Sequence, residues 1–322
     1  MNILVTGKKG FIARNLPSAF DLHGANVVDT SEVDLHRINT GELCVHRNTE
    51  EQWADVFKTL DVDIVVHNAA VVGTDVVALN YDHATLTNVC GTYTIARAAE
   101  MAKIPVCYMG TSVIYDTAKY QDSPIHETSD CLPRTLYGAL KFAGENIVKT
   151  QSSNWMIIRP LFAYGGVGDM NSLMAKTFFA IKDKRDSLDM FLDPSKAKDY
   201  LHVSDFCNAV ALACVKGLFG DDYNVSAQTP CVTGEIVDVM SQVSGFDLSE
   251  IIRWHPETDY LGNHILSSEK FRRKSGWKPQ LTLREGLESS WQDIMYKSSS
   301  NYNPLVYLDV ARKIGIDLTQ FY

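Results

Sequence analysis

The sequence has no apolar run approaching membrane-spanning length, and its first apolar stretch, "NILV", is far too short for a secretory leader. A soluble, cytoplasmic chain without a membrane partner is expected. Basic charge is also in deficit: the formal net charge is -9. Nucleic-acid or anionic-membrane binding needs a basic patch that this balance does not supply, so any bound phosphate must be caught by a local device. The seven cysteines, at 44, 90, 107, 131, 207, 214 and 231, form no Cys-x-x-Cys pair and no Cys/His cluster. A disulfide framework and a metal site therefore lack support, and reduced thiols are expected. Internal repeats and low-complexity linkers are absent as well. What is present is an ordinary globular composition over 322 residues, enough for one large or two coupled domains.

Apolar β-rich runs recur along the chain: "NILVTG", "ANVVD", "DIVVHNAA", "PVCYMGTS" and "WMIIRPL" alternate with helical patterns, and "DYLHV" and "DYNVS" follow. Continuous rather than alternating hydrophobicity predicts strands buried on both faces, a parallel sheet covered by helices. The expected class is α/β, with a doubly wound dinucleotide-binding domain over residues 1–164. Residues 165–322 are expected to form mainly a smaller α/β domain that holds the substrate, with segments near 199–226 returning to the first sheet. From about residue 298 an extension carries Leu305, Leu308, Val310 and Ile314 in a weakly amphipathic segment, expected to pack on its own domain.

The opening "TGKKGFIA" follows the first strand. Gly7 supplies a tight turn, Gly10 lets the backbone approach a pyrophosphate at the N-terminus of a helix starting near Phe11, and Ala13 is small enough for helix-strand packing. Asp29, about 19 residues beyond Gly10, stands where an acid binds the adenosine ribose and repels a 2′-phosphate, which favours NAD. Lys8 and Lys9 pull toward NADP, unless they are only solvated loop charges.

A Tyr-x-x-x-Lys spacing occurs twice, at Tyr115/Lys119 and Tyr137/Lys141; among 14 tyrosines about one such pair is expected by chance. Only "YGALKFAGENIVK" has helical periodicity, which puts Tyr137 and Lys141 on one face. Tyr115 is expected to pack or to line a pocket rim. A phenol with a pKa near 10 is a poor acid-base group at neutral pH, and lowering it by about 3 units takes roughly 4 kcal/mol. An ammonium one turn away and a positive nicotinamide can supply that. Thr111, at the end of "PVCYMGTS", adds a hydroxyl for the substrate oxygen at a carboxyl strand edge, where open α/β sheets carry their sites.

With these residues in place the chain resembles the extended short-chain dehydrogenase/reductases of the NAD-dependent sugar-nucleotide epimerase/dehydratase family. "TGKKGFIA", "VVHNAA", "TNVCGTYTIARAA", "MGTSVIYD", "YGALK", "IIRPLFAYG", "KDYLHVSDF", "YNVS" and "SGWKPQLTLREGLESSW" follow in family order over about residues 1 to 295. The resemblance implies a Rossmann fold, the triad Thr111, Tyr137 and Lys141, and cofactor contacts from Gly7, Lys9, Gly10, Phe11, Ile12, Asp29, Asn68, Ala69, Ala70 and Lys141. It also implies a nucleotide-sugar substrate and a homodimer through helices at about 84–102 and 135–150. GDP-fucose synthases carry a basic residue where Lys9 stands, so NADP(H) is favoured over NAD(H).

The family's dehydratases place Asp and Glu directly after the catalytic threonine. Here Ser112 and Val113 stand there, which argues against dehydration. In GDP-fucose synthases a cysteine and a histidine epimerise the sugar; Val113 and Leu173 occupy those places. "EVDLHR" resembles dTDP-4-dehydrorhamnose reductases and "NAAVVG" resembles GDP-fucose synthases, so a 4-ketoreductase is favoured over a C4 epimerase with tightly held NAD. A non-catalytic NAD(P)-sensing protein is the alternative of another class, and it predicts loss of a triad member. Phe162 and Ser204 depart from the family pattern, and "DYLGNHILSS" lacks the arginine that commonly grips the diphosphate. Ser112, Val113, Phe162, Lys176 and Lys198 are the candidate substrate contacts, with Arg159, Arg185 and Lys196 as further cations. His67 and His202 are expected to be structural, and Cys90 and Cys107 to be core.

Overall fold

Apolar runs bounded by turn residues become buried strands, and the amphipathic stretches between them become the covering helices. In the computed structural model, which describes residues 1–28, 45–166 and 168–296, the first half contains β1 (Asn2–Thr6), β2 (Asn26–Val27), β3 (Ile64–His67), β4 (Val106–Met109) and β5 (Trp155–Pro160). Interleaved are α1 (Phe11–Leu22), α2 (Glu50–Thr59), α3 (Thr74–Leu79), α4 (Tyr81–Thr85), a π-helical turn over Leu86–Cys90, α5 (Gly91–Ala102) and α6 (Leu136–Gln151). The second half runs β6 (Phe162–Tyr164), α7 (Leu173–Lys182), β7 (Leu188–Met190), β8 (Ala197–Lys198), β9 (Tyr200–His202), α8 (Val203–Val215), β10 (Asp221–Val225), β11 (Cys231–Val232), α9 (Thr233–Ser244), β12 (Ile252–Trp254), α10 (Glu269–Ser275) and α11 (Leu283–Tyr296).

The central sheet is six-stranded and parallel, in the order β10-β5-β4-β3-β1-β2. Strand periodicity sends Ile3, Val5 and Val66 to one face, under Leu16 and Phe20 of α1 and Phe206 and Val210 of α8. Leu4, Val65 and Val106 go to the other face, under Trp53 and Phe57 of α2 and Ile95 and Ala99 of α5. Burial on both faces is why these strands read as continuous apolar runs. The chain steps from β1 out to β2 and then returns past β1 to β3, and the helices that follow the two strands cover opposite faces, α1 one and α5 the other. Such a switch point, at the carboxyl ends of the strands, is where an open α/β sheet binds ligands.

A second core holds Met174, Phe178, Met240, Leu248 and Leu287 from α7, α9, the turn before β12, and α11. The expected return of "DYLHV" to the main sheet is corrected here. Its strand β9 pairs in parallel with β6 in a separate two-stranded ladder, because both edges of β5 are already taken by β4 and β10. Only "DYNVS", as β10, rejoins the sheet. The second strand is shorter than "ANVVD" suggests, and Asp29, Cys44 and the extension from residue 297 lie outside the described residues. No described helix is long and apolar enough to cross a membrane.

Candidate active site

The glycine turn follows β1 and lies against the loop after β3. The Gly10 amide donates to the Gly7 carbonyl at 2.8 Å, and Gly7 has a φ of 71°, in the left-handed region. A Cβ on Gly7 would stand 2.8 Å from the Cα of Ala69, so only glycine lets the two loops meet. Thr6 fastens them: its Oγ1 accepts from the amides of Asn68 and Ala69 at 3.1 and 3.0 Å and bonds His67 Nδ1 at 2.8 Å. Gly10 is the N-cap of α1 without a side-chain cap, and the first turn carries no acid. The amides of Phe11 and Ile12 thus begin a helix whose N-terminus suits an anion such as a dinucleotide pyrophosphate. Lys8 and Lys9 are exposed on the turn.

Tyr137 and Lys141 are delivered by α6. Thr135 caps that helix, its Oγ1 accepting from the Gly138 amide at 3.0 Å. A Cβ on Gly138 would lie 2.7 Å from the Val113 carbonyl oxygen, so the first turn of α6 seats directly against the short 3-10 turn over Ser112–Ile114. This brings Tyr137 to Thr111, whose hydroxyl favours the phenolate. Burial pushes the Tyr137 phenol up to about 12, and the Thr111 hydroxyl pulls the other way. Lys141, one turn on, is only 3% exposed; burial pushes its ammonium down to about 7, opposed by Glu145 a further turn along. A hydroxyl, a phenol and a poorly solvated ammonium are the set that can hold a carbonyl oxygen and exchange a proton with it.

Beneath this trio lies a buried ion network. Arg159, from β5, grips Glu145 through Nε at 3.1 Å to both carboxylate oxygens and through one terminal nitrogen at 2.8 Å. The same nitrogen reaches Asp222 at 2.9 Å, and the other donates to the Tyr115 hydroxyl at 2.7 Å. Tyr115 donates onward to Asn224 at 2.7 Å, and Lys119 pairs with Asp130 on the surface. The Tyr115/Lys119 spacing is therefore structural, and Tyr115 packs inside. Arg159 is neither a surface charge nor an open anion contact.

Beside Thr111, Ser112 is buried and Val113 half-buried. Phe162 tilts against Tyr200 and His264, 5.4 and 5.6 Å between ring centroids. Lys176 is exposed on α7 and faces Asp75 and Asp169. Lys198 differs from the open cation expected of a diphosphate contact: it is buried, with its ammonium on Asp259 and the Gly262 carbonyl, both at 2.8 Å. The segment carrying those partners is strapped down by Gln121, which accepts from the Asn263 amide at 2.8 Å and donates to the Leu261 carbonyl at 3.0 Å. Tyr260, on the strap, meets Thr74 Oγ1 at 3.3 Å and stands near Tyr137.

His202 caps α8 and bonds Ser204 at 2.7 Å, and His67 is locked between Thr6 and Thr92, both structural roles as expected. Cys107 is buried but Cys90 is exposed, a correction that follows from its place on the outer side of the π-helical turn. Among the described residues no cluster of His, Cys, Asp and Glu could hold a metal. Sequence reading passed over Tyr108, Glu145 and Tyr260. Glu145 was detectable, since it continues the four-residue spacing from Tyr137 through Lys141; Tyr108 and Tyr260 meet the site only through tertiary packing.

Comparison with known proteins adds the following. The profile of the NAD dependent epimerase/dehydratase family matches residues 3–226. dTDP-glucose 4,6-dehydratase of Haemophilus influenzae is 24% identical over 344 residues, spanning 94% of this chain and all of the relative. dTDP-4-dehydrorhamnose reductase of Salmonella typhimurium is 26% identical over 212 residues, spanning 66% of this chain and 67% of the relative. The solved UDP-glucuronic acid 4-epimerase of Bacillus cereus, in complex with UDP-glucuronic acid and NAD, superposes with a TM-score of 0.79 at 18% identity, over 92% of this chain and all of that one.

Proposed function

The chain belongs to the NAD dependent epimerase/dehydratase family, and from that premise we propose that it reduces the 4-keto group of a nucleotide-activated sugar, an NDP-4-keto-sugar with or without a 6-deoxy carbon. Family membership makes it an NAD(P)-dependent enzyme of nucleotide-sugar chemistry. The observation that carries the finer reading is the pair following Thr111. Ser112 and Val113 offer no carboxylate and no thiol, so neither can protonate a leaving hydroxyl or take a proton from a ring carbon. What the site can do is exchange a proton at the C4 oxygen. Thr111 donates to that oxygen, Tyr137 delivers its proton to it, and the Lys141 ammonium stabilises the phenolate left behind. A bound nicotinamide supplies the hydride to C4.

Gly7, Gly10, Phe11, Ile12, Asn68, Ala69 and Ala70 form the cofactor side in this reading, with Lys9 pairing to a 2′-phosphate so that NADPH is preferred. Tyr260 and Thr74 close the substrate side near Tyr137. The test is turnover with NADPH and NADH on a panel of NDP-4-keto-sugars, followed by absorbance of the reduced cofactor. Net consumption, faster with NADPH and losing that preference in Lys9→Ala, is expected. Interconversion of two sugars with no net consumption would instead identify a C4 epimerase, and an unchanged preference in Lys9→Ala would leave Lys9 a solvated charge.

The proposal includes a homodimer. Leu86 on the π-helical turn, Tyr93 and Met101 on α5 and Leu136 of α6 are exposed apolar side chains on the helices this interface would use. Sedimentation equilibrium is expected to give twice the 35.9 kDa chain mass, falling to the chain mass in Tyr93→Glu/Met101→Glu. A wild-type monomer would refute the dimer.

A further inference from the structure

Among the described residues two lysines are almost fully buried, Lys141 and Lys198, and the protein satisfies them differently. Lys198 has a carboxylate and a carbonyl oxygen on its ammonium. Lys141 has neither among the described residues; its Nζ lies 4.1 Å from the centroid of the Tyr108 ring. A desolvated ammonium over an aromatic face is attracted by the ring quadrupole. The ring cannot drift from that position. Tyr108 belongs to β4 and is 1% exposed, and its hydroxyl reaches the backbone carbonyl of Lys141 itself at 3.4 Å. A Cβ on Gly144 would come 2.2 Å from that hydroxyl oxygen and 2.9 Å from the ring, so the glycine is what admits the tyrosine under α6. On its far side the ring tilts against His67, centroids 5.7 Å apart.

We propose that Tyr108 is a positioning residue for the reaction: its ring face holds the Lys141 ammonium in place and keeps it protonated beneath Tyr137. This rests on the reading of Lys141 as the group that tunes Tyr137. The other groups facing that ammonium do not replace the ring. His67, from β3, is neutral, held down to about 3 by burial with Lys141 adding to the effect. Glu145, on α6 itself, does attract Lys141, but its carboxylate is engaged by Arg159 of β5, which in turn holds Asp222 of β10. Tyr137 is uncharged until it gives up its proton. Among the described residues, Tyr108 is the one group recorded in direct contact with the ammonium that favours its charged form.

The sign follows directly. A cation–π contact stabilises the protonated amine, so removing the face lowers the Lys141 pKa, by roughly one pH unit for a desolvated contact. The experiment is a titration of protein labelled with [ε-13C]lysine, with the Lys141 resonance assigned by its loss in Lys141→Met. The alkaline limb of reductive kcat/KM is followed in parallel. Tyr108→Leu is expected to move both the resonance midpoint and the limb down by roughly one pH unit, while Tyr108→Phe, which keeps the face and loses only the hydroxyl, leaves both near wild type. An unmoved resonance in Tyr108→Leu, or an equal shift in Tyr108→Phe, overturns the proposal. Should Tyr108→Leu fail to fold, phenylalanines of increasing ring fluorination at position 108 keep the shape and weaken the quadrupole. A graded fall in the resonance midpoint then supports the contact, and a flat series overturns it. A resonance that moves while the kinetic limb stays fixed upholds the contact and refutes the catalytic role given to Lys141, so the two failures are distinguishable.

Discussion

Tyr137→Phe is expected to lower kcat for keto-sugar reduction by roughly 10²- to 10⁴-fold, the range for loss of a positioned general acid, with KM little changed. The ring stays in place because it packs against the cluster of Val77, Ala84 and Leu140; only the proton is lost. The pH dependence should change with it. Lys141 is held down to about 7, so in the free enzyme its ammonium is present below that pH and lost above it. The phenol, pushed up to about 12 by burial, needs that ammonium to release its proton within the neutral range. Reductive kcat/KM should therefore be high on the acid side and fall as pH rises through about 7. In Tyr137→Phe the fall should flatten, because Lys141 no longer has a phenolate to stabilise. Steady-state rates between pH 5 and 9 decide it. Undiminished turnover in the variant would remove Tyr137 from the chemistry.

The parts of this site that were legible in the sequence are those fixed by local chain geometry. A glycine turn after the first strand, a hydroxyl at a strand end and a tyrosine-lysine pair one helical turn apart each depend on near neighbours, and each appears where its spacing requires. The chance pair Tyr115/Lys119 was separable for the same reason, since its flanking residues have no helical period. Long-range packing was not legible. Nothing near Tyr108 in the chain says that Gly144 would be the residue to admit its ring, and nothing near Lys198 says that Asp259 would cover its charge. β9 was assigned to the wrong sheet because strand propensity carries no information about which edge is free. Cys90 was misread because an apolar neighbourhood in sequence winds around a helix, and one side of that helix faces outward.

Arg159→Met should be the most damaging single substitution to stability, by about 3–5 kcal/mol, the loss found when one partner of a buried ion pair is removed. Both members are sealed from solvent, Arg159 at 2% and Glu145 at 1% exposure, and the guanidinium also serves Tyr115 and Asp222. Its removal strands the Glu145 carboxylate against Gly110, where a Cβ would already come within 2.5 Å of one carboxylate oxygen. Water cannot reach that oxygen without separating α6 from β5. Glu145→Gln keeps the shape and removes the opposite charge, leaving the arginine with Asp222 as its remaining acid, so its cost should be smaller. The double variant Glu145→Gln/Arg159→Met should then be less destabilised than the sum of the singles, because the second change removes the stranded charge that the first creates. Denaturant midpoints for the four proteins of that cycle measure the difference. Additive losses would mean that the pair is not coupled, and that the network under the catalytic helix is held by Tyr115, Asn224 and the neighbouring lysines instead.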